Sequence, residues 1–267
     1  MAVERHLIIP GVLNKVPEAC EFVVQAAESA GLDERSIYYC QMAVDEWCTN
    51  VIEHGYGEEN ERNRLEIICQ CTQNYLSITI SDDSPPFDPT ALPDEEPSQL
   101  LEEREPGGLG WFFIRKIMDE VNYEYRDGRN NLTMIKRGTD TGTHGSQDVA
   151  EDEFSARELP NGVWIVLPSG RLDATSGHLL ETALNKQLEA SHSRLVVDMS
   201  AVTYISSGGL KVLLSARRAA LKLGGNIMLV AVAPRVRKVF EISGFDTLFK
   251  MVASVEDAAA AIDSIPK

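Results

Sequence analysis

From Ile37 onward the apolar residues recur every three or four positions: Ile37, Cys40, Val44, Trp47, Cys48 and Val51 form one stripe of a helix. The stretch Tyr38 to Tyr56 carries that pattern, with Asp33 placed ahead of it as a cap. Glu46 and Asn50, spaced i and i+4, fall on a different stripe with Ala43 and Tyr39. A carboxylate beside a carboxamide can serve as general base and as oxygen ligand to a hard cation such as Mg²⁺. Taken alone, the same pair also describes an ordinary solvated helix face, so its meaning depends on what else the chain brings to it.

The pattern before this helix predicts a strand at HLIIP and an amphipathic helix from Pro17 to Ala30, closed at Gly31. After it, Arg64 to Gln70 and Tyr75 to Ser81 alternate with period two, and Gln73-Asn74 between them predicts a hairpin turn. Asp82-Asp83-Ser84-Pro85-Pro86 ends the second strand, and an acidic, Pro-rich loop is expected from Pro89 to Glu105. Gly107-Gly108-Leu109-Gly110 then feeds the helical pattern WFFIRKIMDEV. A Gly-rich turn at a helix start exposes backbone N–H groups to an anion, although such a turn is also a common tight connection. Strands VNYEYR and NLTMIKR flank Asp127-Gly128, a strong hairpin signal.

Between Gly138 and Phe154 the chain is rich in Gly, Thr, Ser and acidic residues, with nothing apolar to bury, and is expected to be a flexible tether. Roughly fifteen residues of this kind have a root-mean-square span of about 20 Å, which lets two domains meet without setting their orientation. Beyond it, strands at Gly162 to Leu167, Arg194 to Met199 and NIMLVAV alternate with helices at Ser176 to Ala190, after Ser206-Ser207-Gly208-Gly209-Leu210, near Pro234 and near Val255. Such alternation implies an α/β layer structure, and the unbroken apolar run RLVVDM implies burial on both sheet faces.

Length and charge narrow the partners. The 267 residues suffice for two domains, and 43% hydrophobic with 25% charged is a globular composition. A formal net charge of −16 argues against a nucleic-acid surface, so proteins and small ligands are the expected partners. No apolar run approaches a membrane span, and the first residues, which carry Glu4 and Arg5, read as a strand rather than a signal. A cytoplasmic location without membrane association is therefore expected. Cys20, Cys40, Cys48, Cys69 and Cys71 sit in periodic apolar segments without a C-x-x-C, which predicts buried free thiols. His178 and His192 read as exposed surface residues, and neither half shows a nucleophile, His and acid set for hydrolysis.

In order and spacing, the Glu46/Asn50 helix, an Asp at a strand end and a Gly-rich turn before a second helix resemble the N, G1 and G2 boxes of the Bergerat-fold (GHKL) ATPases. More narrowly, DEWCTNVIEHGY, SDDSPPFDP and GGLGWFFIRKIMDEVNYEY look like the anti-sigma-factor serine kinases over nearly all of residues 1–138. No phosphoacceptor His precedes a dimerisation helix pair, which disfavours a histidine kinase. The resemblance implies an α/β sandwich, a mixed sheet with helices on one face, that binds ATP with Mg²⁺. By position it implies Glu46 as general base, Asn50 as the Mg²⁺ ligand, Asp82 as the adenine contact, Gly108 and Gly110 as the phosphate-side turn, and Thr133 as the Thr behind the adenine pocket. The usual Asp-x-Gly-x-Gly is here Asp82-Asp83-Ser84-Pro85-Pro86, a stiffer loop.

The second half, through GRLDATSG, VVDMSAVTYISSGGLKVLL and ISGFDTLF, resembles the STAS domain of anti-sigma-factor antagonists. In that family's Asp-Ser-Ser-Gly-Leu pattern the second Ser accepts phosphate; the matching positions are Ser206, Ser207, Gly208, Gly209 and Leu210, so the acceptor position is a glycine. Domains at 1–138 and 154–267 joined by 139–153 are expected. Together the two resemblances imply a partner-switching regulator of sigma-factor-dependent transcription in stress signalling. Its kinase would inhibit a sigma factor and phosphorylate a separate STAS protein, and a homodimer through the kinase half is in keeping with that family. The alternative is a non-catalytic antagonist or scaffold with a vestigial nucleotide site: Glu46 and Asn50 favour catalysis, and the Pro-Pro replacement favours the alternative.

Overall fold

The computed structural model describes residues 3–91, 109–138, 154–159 and 162–261, which divide into two compact units. In the first, β1 (Val3–Gly11), β2 (Asn60–Thr72), β3 (Tyr75–Asp82), β4 (Glu120–Arg126) and β5 (Arg129–Arg137) form a sheet ordered β1-β2-β3-β5-β4. Both expected hairpins are present. Asn74 has φ +56° between β2 and β3, and Asp127 and Gly128 have φ +55° and +80° between β4 and β5, as a two-residue turn needs. The mixed sheet expected for this half is instead antiparallel at every pairing. The reason is topological: β3 and β4 run the same way, but the turn at Asp127 sends β5 back between them, so they never pair.

Helices α1 (Val16–Ser29), α2 (Glu34–Asn50) and α3 (Leu109–Ile117) cover one face of that sheet. Alternation decides which strand residues they meet. Leu65, Ile67, Cys69 and Cys71 on β2, Leu76, Ile78 and Ile80 on β3, and Leu132 and Met134 on β5 are all buried. Gly31, at φ +76°, lets the chain turn out of α1, and Asp33 caps α2 by accepting from the Ser36 N–H at 3.0 Å. The tether and the Gly107-Gly108 turn lie outside the described residues, as does most of the acidic loop, of which Pro89–Ala91 forms a short 3₁₀ turn.

In the second unit β6 (Ser155–Leu159), β7 (Val163–Leu167), β9 (Arg194–Asp198), β11 (Asn226–Val230) and β12 (Lys250–Val252) form a sheet ordered β12-β11-β9-β7-β6. Only β6 is antiparallel to its neighbour, so this sheet is mixed. β8 (Gly170–Leu172) and β10 (Val202–Ile205) make a separate parallel pair. Val163, Ile165, Val196, Met228 and Val230 pack with Ala258 of α7 (Val255–Ala261), while the alternate residues Leu195, Val197, Ile227 and Leu229 are also buried. Burial on both faces is why these strands read as continuous apolar runs. The remaining helices are α4 (Gly177–Glu189), α5 (Ser207–Lys222) and α6 (Pro234–Ser243).

Candidate nucleotide site

The regular α-helical part of α2 ends at Asn50, and Val51–Gly55 continues as a single π-helical turn, a feature concentrated at functional sites. Glu46, only 5% exposed, and Asn50, partly exposed, stand one turn apart at this end. Gly110, in the first turn of α3, lies directly against both: a methyl group placed on it would fall 2.6 Å from Glu46 Oε2 and 3.1 Å from Asn50 Nδ2. Three residues singled out in the sequence therefore meet at one place, and glycine is what allows the close approach. Trp47 and Trp111, whose ring centroids are 6.2 Å apart, tie the same two helices together beside them. Gly108 lies outside the described residues.

Asp82 ends β3 and is 1% exposed. Its Oδ1 accepts from the Ser84 N–H at 3.0 Å, the Ser84 hydroxyl at 2.5 Å and Asn130 Nδ2 at 2.9 Å. Its Oδ2, equally buried, has no hydrogen-bond partner among the described residues. An acceptor left unmet in the interior costs about 1–3 kcal/mol, a cost that a ligand donor would recover. The two clusters meet through Gly55, where a methyl group would lie 2.8 Å from Ser84 Oγ. Tyr56 helps hold the loop, its hydroxyl lying 2.8 Å from Asp83 Oδ1 and 2.7 Å from the Arg64 carbonyl. Burial, and then the bond to Asp83, push the Tyr56 phenol up, so it remains a donor. The Pro85-Pro86 segment thus has its own anchors where glycines were expected.

Thr133 is not in this cluster. It pairs with Thr79 on the neighbouring strand and bonds to it hydroxyl to hydroxyl at 3.0 Å. Asp82 is three residues beyond Thr79, and an odd offset along a strand puts side chains on opposite sheet faces. The position facing Asp82 belongs to Asn130, which the sequence reading missed. The signal that would have found it is the β3–β5 register, which no hairpin specifies because β4 comes between the two in the chain.

In the second unit Ser206 caps α5 by accepting the Gly208 N–H at 3.1 Å, as serine at a helix start is expected to do. Ser206 and Ser207 are both 5% exposed, whereas a methyl group on Gly208 would lie 3.3 Å from Ser206 Oγ. His178 is exposed as expected, but His192 is half-buried and stacks on Trp164 at 4.5 Å between ring centroids, because the end of α4 turns it onto β7. All five cysteines are buried free thiols, and burial pushes the Cys69 thiol up to about 12 and those of Cys40 and Cys48 higher. Those three are protonated at neutral pH.

Residues 9–136 match the family of histidine kinase-like ATPase domains, and residues 156–258 match the STAS domain family. The chain is 32% identical to the serine-protein kinase RsbW of Staphylococcus epidermidis over 114 residues, covering 40% of this chain and 69% of that protein. It is 37% identical over 101 residues to BtrV of Bordetella bronchiseptica, named for an anti-sigma factor antagonist, covering 38% of this chain and 87% of BtrV. The chain belongs to both families, joined in one polypeptide. The ATPase domain is also 27% identical to BtrW, a serine/threonine-protein kinase of the same Bordetella strain, over 35% of this chain and 65% of BtrW. The STAS domain and the ATPase domain thus each resemble proteins that are separate chains in that organism. Among the described residues no helix is long and apolar enough to cross a membrane.

Proposed function

We propose that the ATPase domain (1–138) binds Mg-ATP and phosphorylates a serine of a separate STAS-type protein, and that the whole chain acts in partner switching around a sigma factor. The observation that carries this reading is the seating of Gly110 against Glu46 and Asn50, which joins an acid, an oxygen ligand and a helix start. Bound Mg²⁺ would neutralise charge on the transferred phosphoryl group. Among the described residues no three His, Cys, Asp or Glu side chains cluster to cage a metal, which suits an ion held by Asn50 together with nucleotide oxygens. Glu46 accepts the proton of the attacking serine hydroxyl as the serine O–P bond forms and the bond to the β-phosphate oxygen breaks. Asp82 would accept from the exocyclic amine of adenine, and the N–H groups at the start of α3 would be available to the phosphates.

Incubating the full chain with Mg-ATP and candidate STAS proteins, then mapping phosphosites by mass spectrometry, tests the reading. Phosphoserine on a separate STAS protein is the expected result. Absence of ATP binding by calorimetry at millimolar nucleotide would overturn it and leave the chain as a scaffold.

A further inference from the structure

Asn130 is 3% exposed and every polar atom of its side chain is engaged. Its Nδ2 lies 2.9 Å from Asp82 Oδ1, 3.0 Å from the Ser84 carbonyl and 3.2 Å from Ser84 Oγ. Its Oδ1 accepts from the Tyr123 hydroxyl at 2.6 Å and the Phe87 N–H at 3.3 Å. The neighbours decide the amide's orientation: acceptors surround the nitrogen, and donors address the oxygen. One side chain thereby clamps the base-facing carboxylate, the loop after it and the neighbouring β4 strand.

The consequence is chemical. Asp82 Oδ1 is saturated by three donors, and the carboxylate is held so that Oδ2 alone is left to accept. We propose that Asn130 is the positioning residue for purine selection, holding Asp82 so that its free oxygen meets the 6-amino group of an adenine nucleotide and opposes a 6-oxo group. This rests on the nucleotide-binding reading above. Without the clamp the carboxylate rotates, either oxygen can turn to other donors, and the distinction between amino and oxo purines weakens.

The test is calorimetric titration of the full chain with Mg-ATP and with Mg-ITP, which carries oxygen in place of the 6-amino group. Wild type is expected to prefer ATP by about 10- to 100-fold, the range for one specific hydrogen bond left unmade in a buried site. Asn130→Leu should reduce the preference to about threefold or less. Tyr123→Phe removes the bond to Asn130 Oδ1 at a half-exposed position, and should lower the preference by about two- to fivefold while shifting the melting temperature by no more than about 6 °C, so the variant stays folded. A merely structural role would weaken both nucleotides equally and leave their ratio intact. If Asn130→Leu fails to fold, Tyr123→Phe decides. An unchanged ratio in folded variants of an ATP-binding wild type overturns this inference alone, whereas a wild type that binds no ATP overturns the nucleotide reading as well.

Discussion

Glu46 and Asn50 share a helix face, and on the proposed reading their tasks are separable, since one would handle a proton and the other a cation. Glu46→Gln preserves shape and the contact with Gly110 while removing basicity. It is expected to keep Mg-ATP affinity and to lose about 10²- to 10⁴-fold in single-turnover phosphotransfer. Asn50→Ala, by contrast, should weaken the metal-dependent part of nucleotide binding itself. An unchanged transfer rate in the Glu46 variant would take that residue out of the base role. Among the residues proposed for the adenine side, Asp82 was legible through the resemblance, as the Asp at the end of an alternating strand. Asn130 was not, since an Asn near a hairpin reads as turn chemistry until its cross-strand neighbour is known.

The elements themselves follow local rules, and their joints are where charge is buried. In the loop from β8 to α4, Asp173 is 3% exposed and pairs with Arg171 Nε at 2.7 Å, while the guanidinium carbon of Arg171 lies 3.8 Å from the Tyr204 ring centroid. Burial works against the ionised form of Asp173, but the Arg171 charge and the bonds from Thr175 and Arg171 outweigh it and hold the carboxyl below its ordinary value. A depressed folded value stabilises the fold above the ordinary aspartate pKa of about 3.9, and the stabilisation is lost as pH falls through the lower folded value. Arg171→Leu leaves Asp173 buried without its cation and is expected to cost about 3 kcal/mol at pH 7. Urea unfolding of the STAS transition should show that gap closing as pH falls, first where the uncompensated Asp173 of the variant takes up its proton and then on through the lower folded value of the wild type. A gap that widened on acidification would contradict the assignment.

At the scale of the molecule, a kinase-type domain and a STAS domain on one chain raise the question of self-phosphorylation. Two domains on one polypeptide joined by a short flexible segment would meet at a local concentration of about millimolar, so lack of encounter would not protect the STAS domain. Its chemistry would: the position that the family resemblance implies for the acceptor holds Gly208, and Ser206 and Ser207 are buried at the start of α5. In-line transfer loses about 10²-fold for a misplacement of about 1 Å, so a serine one residue away is a poor substitute. Intact-mass analysis after Mg-ATP treatment is expected to show no phosphate on Ser206 or Ser207, and Gly208→Ser, whose added Cβ would lie 3.3 Å from Ser206 Oγ, should gain one. Rapid labelling of the native serines, lost in Glu46→Gln, would refute this. The order of elements, the Asp33 cap, the two hairpin turns and the Glu46/Asn50 face were all determined by the sequence itself, because each depends on contacts within a few residues. The tertiary structure alone decided the all-antiparallel first sheet, the stacking of His192 on Trp164, and the choice of Asn130 over Thr133 beside Asp82. That last choice depends on pairing across 48 positions with β4 intervening, and in a strand the shift from an even to an odd position sends a side chain to the opposite face.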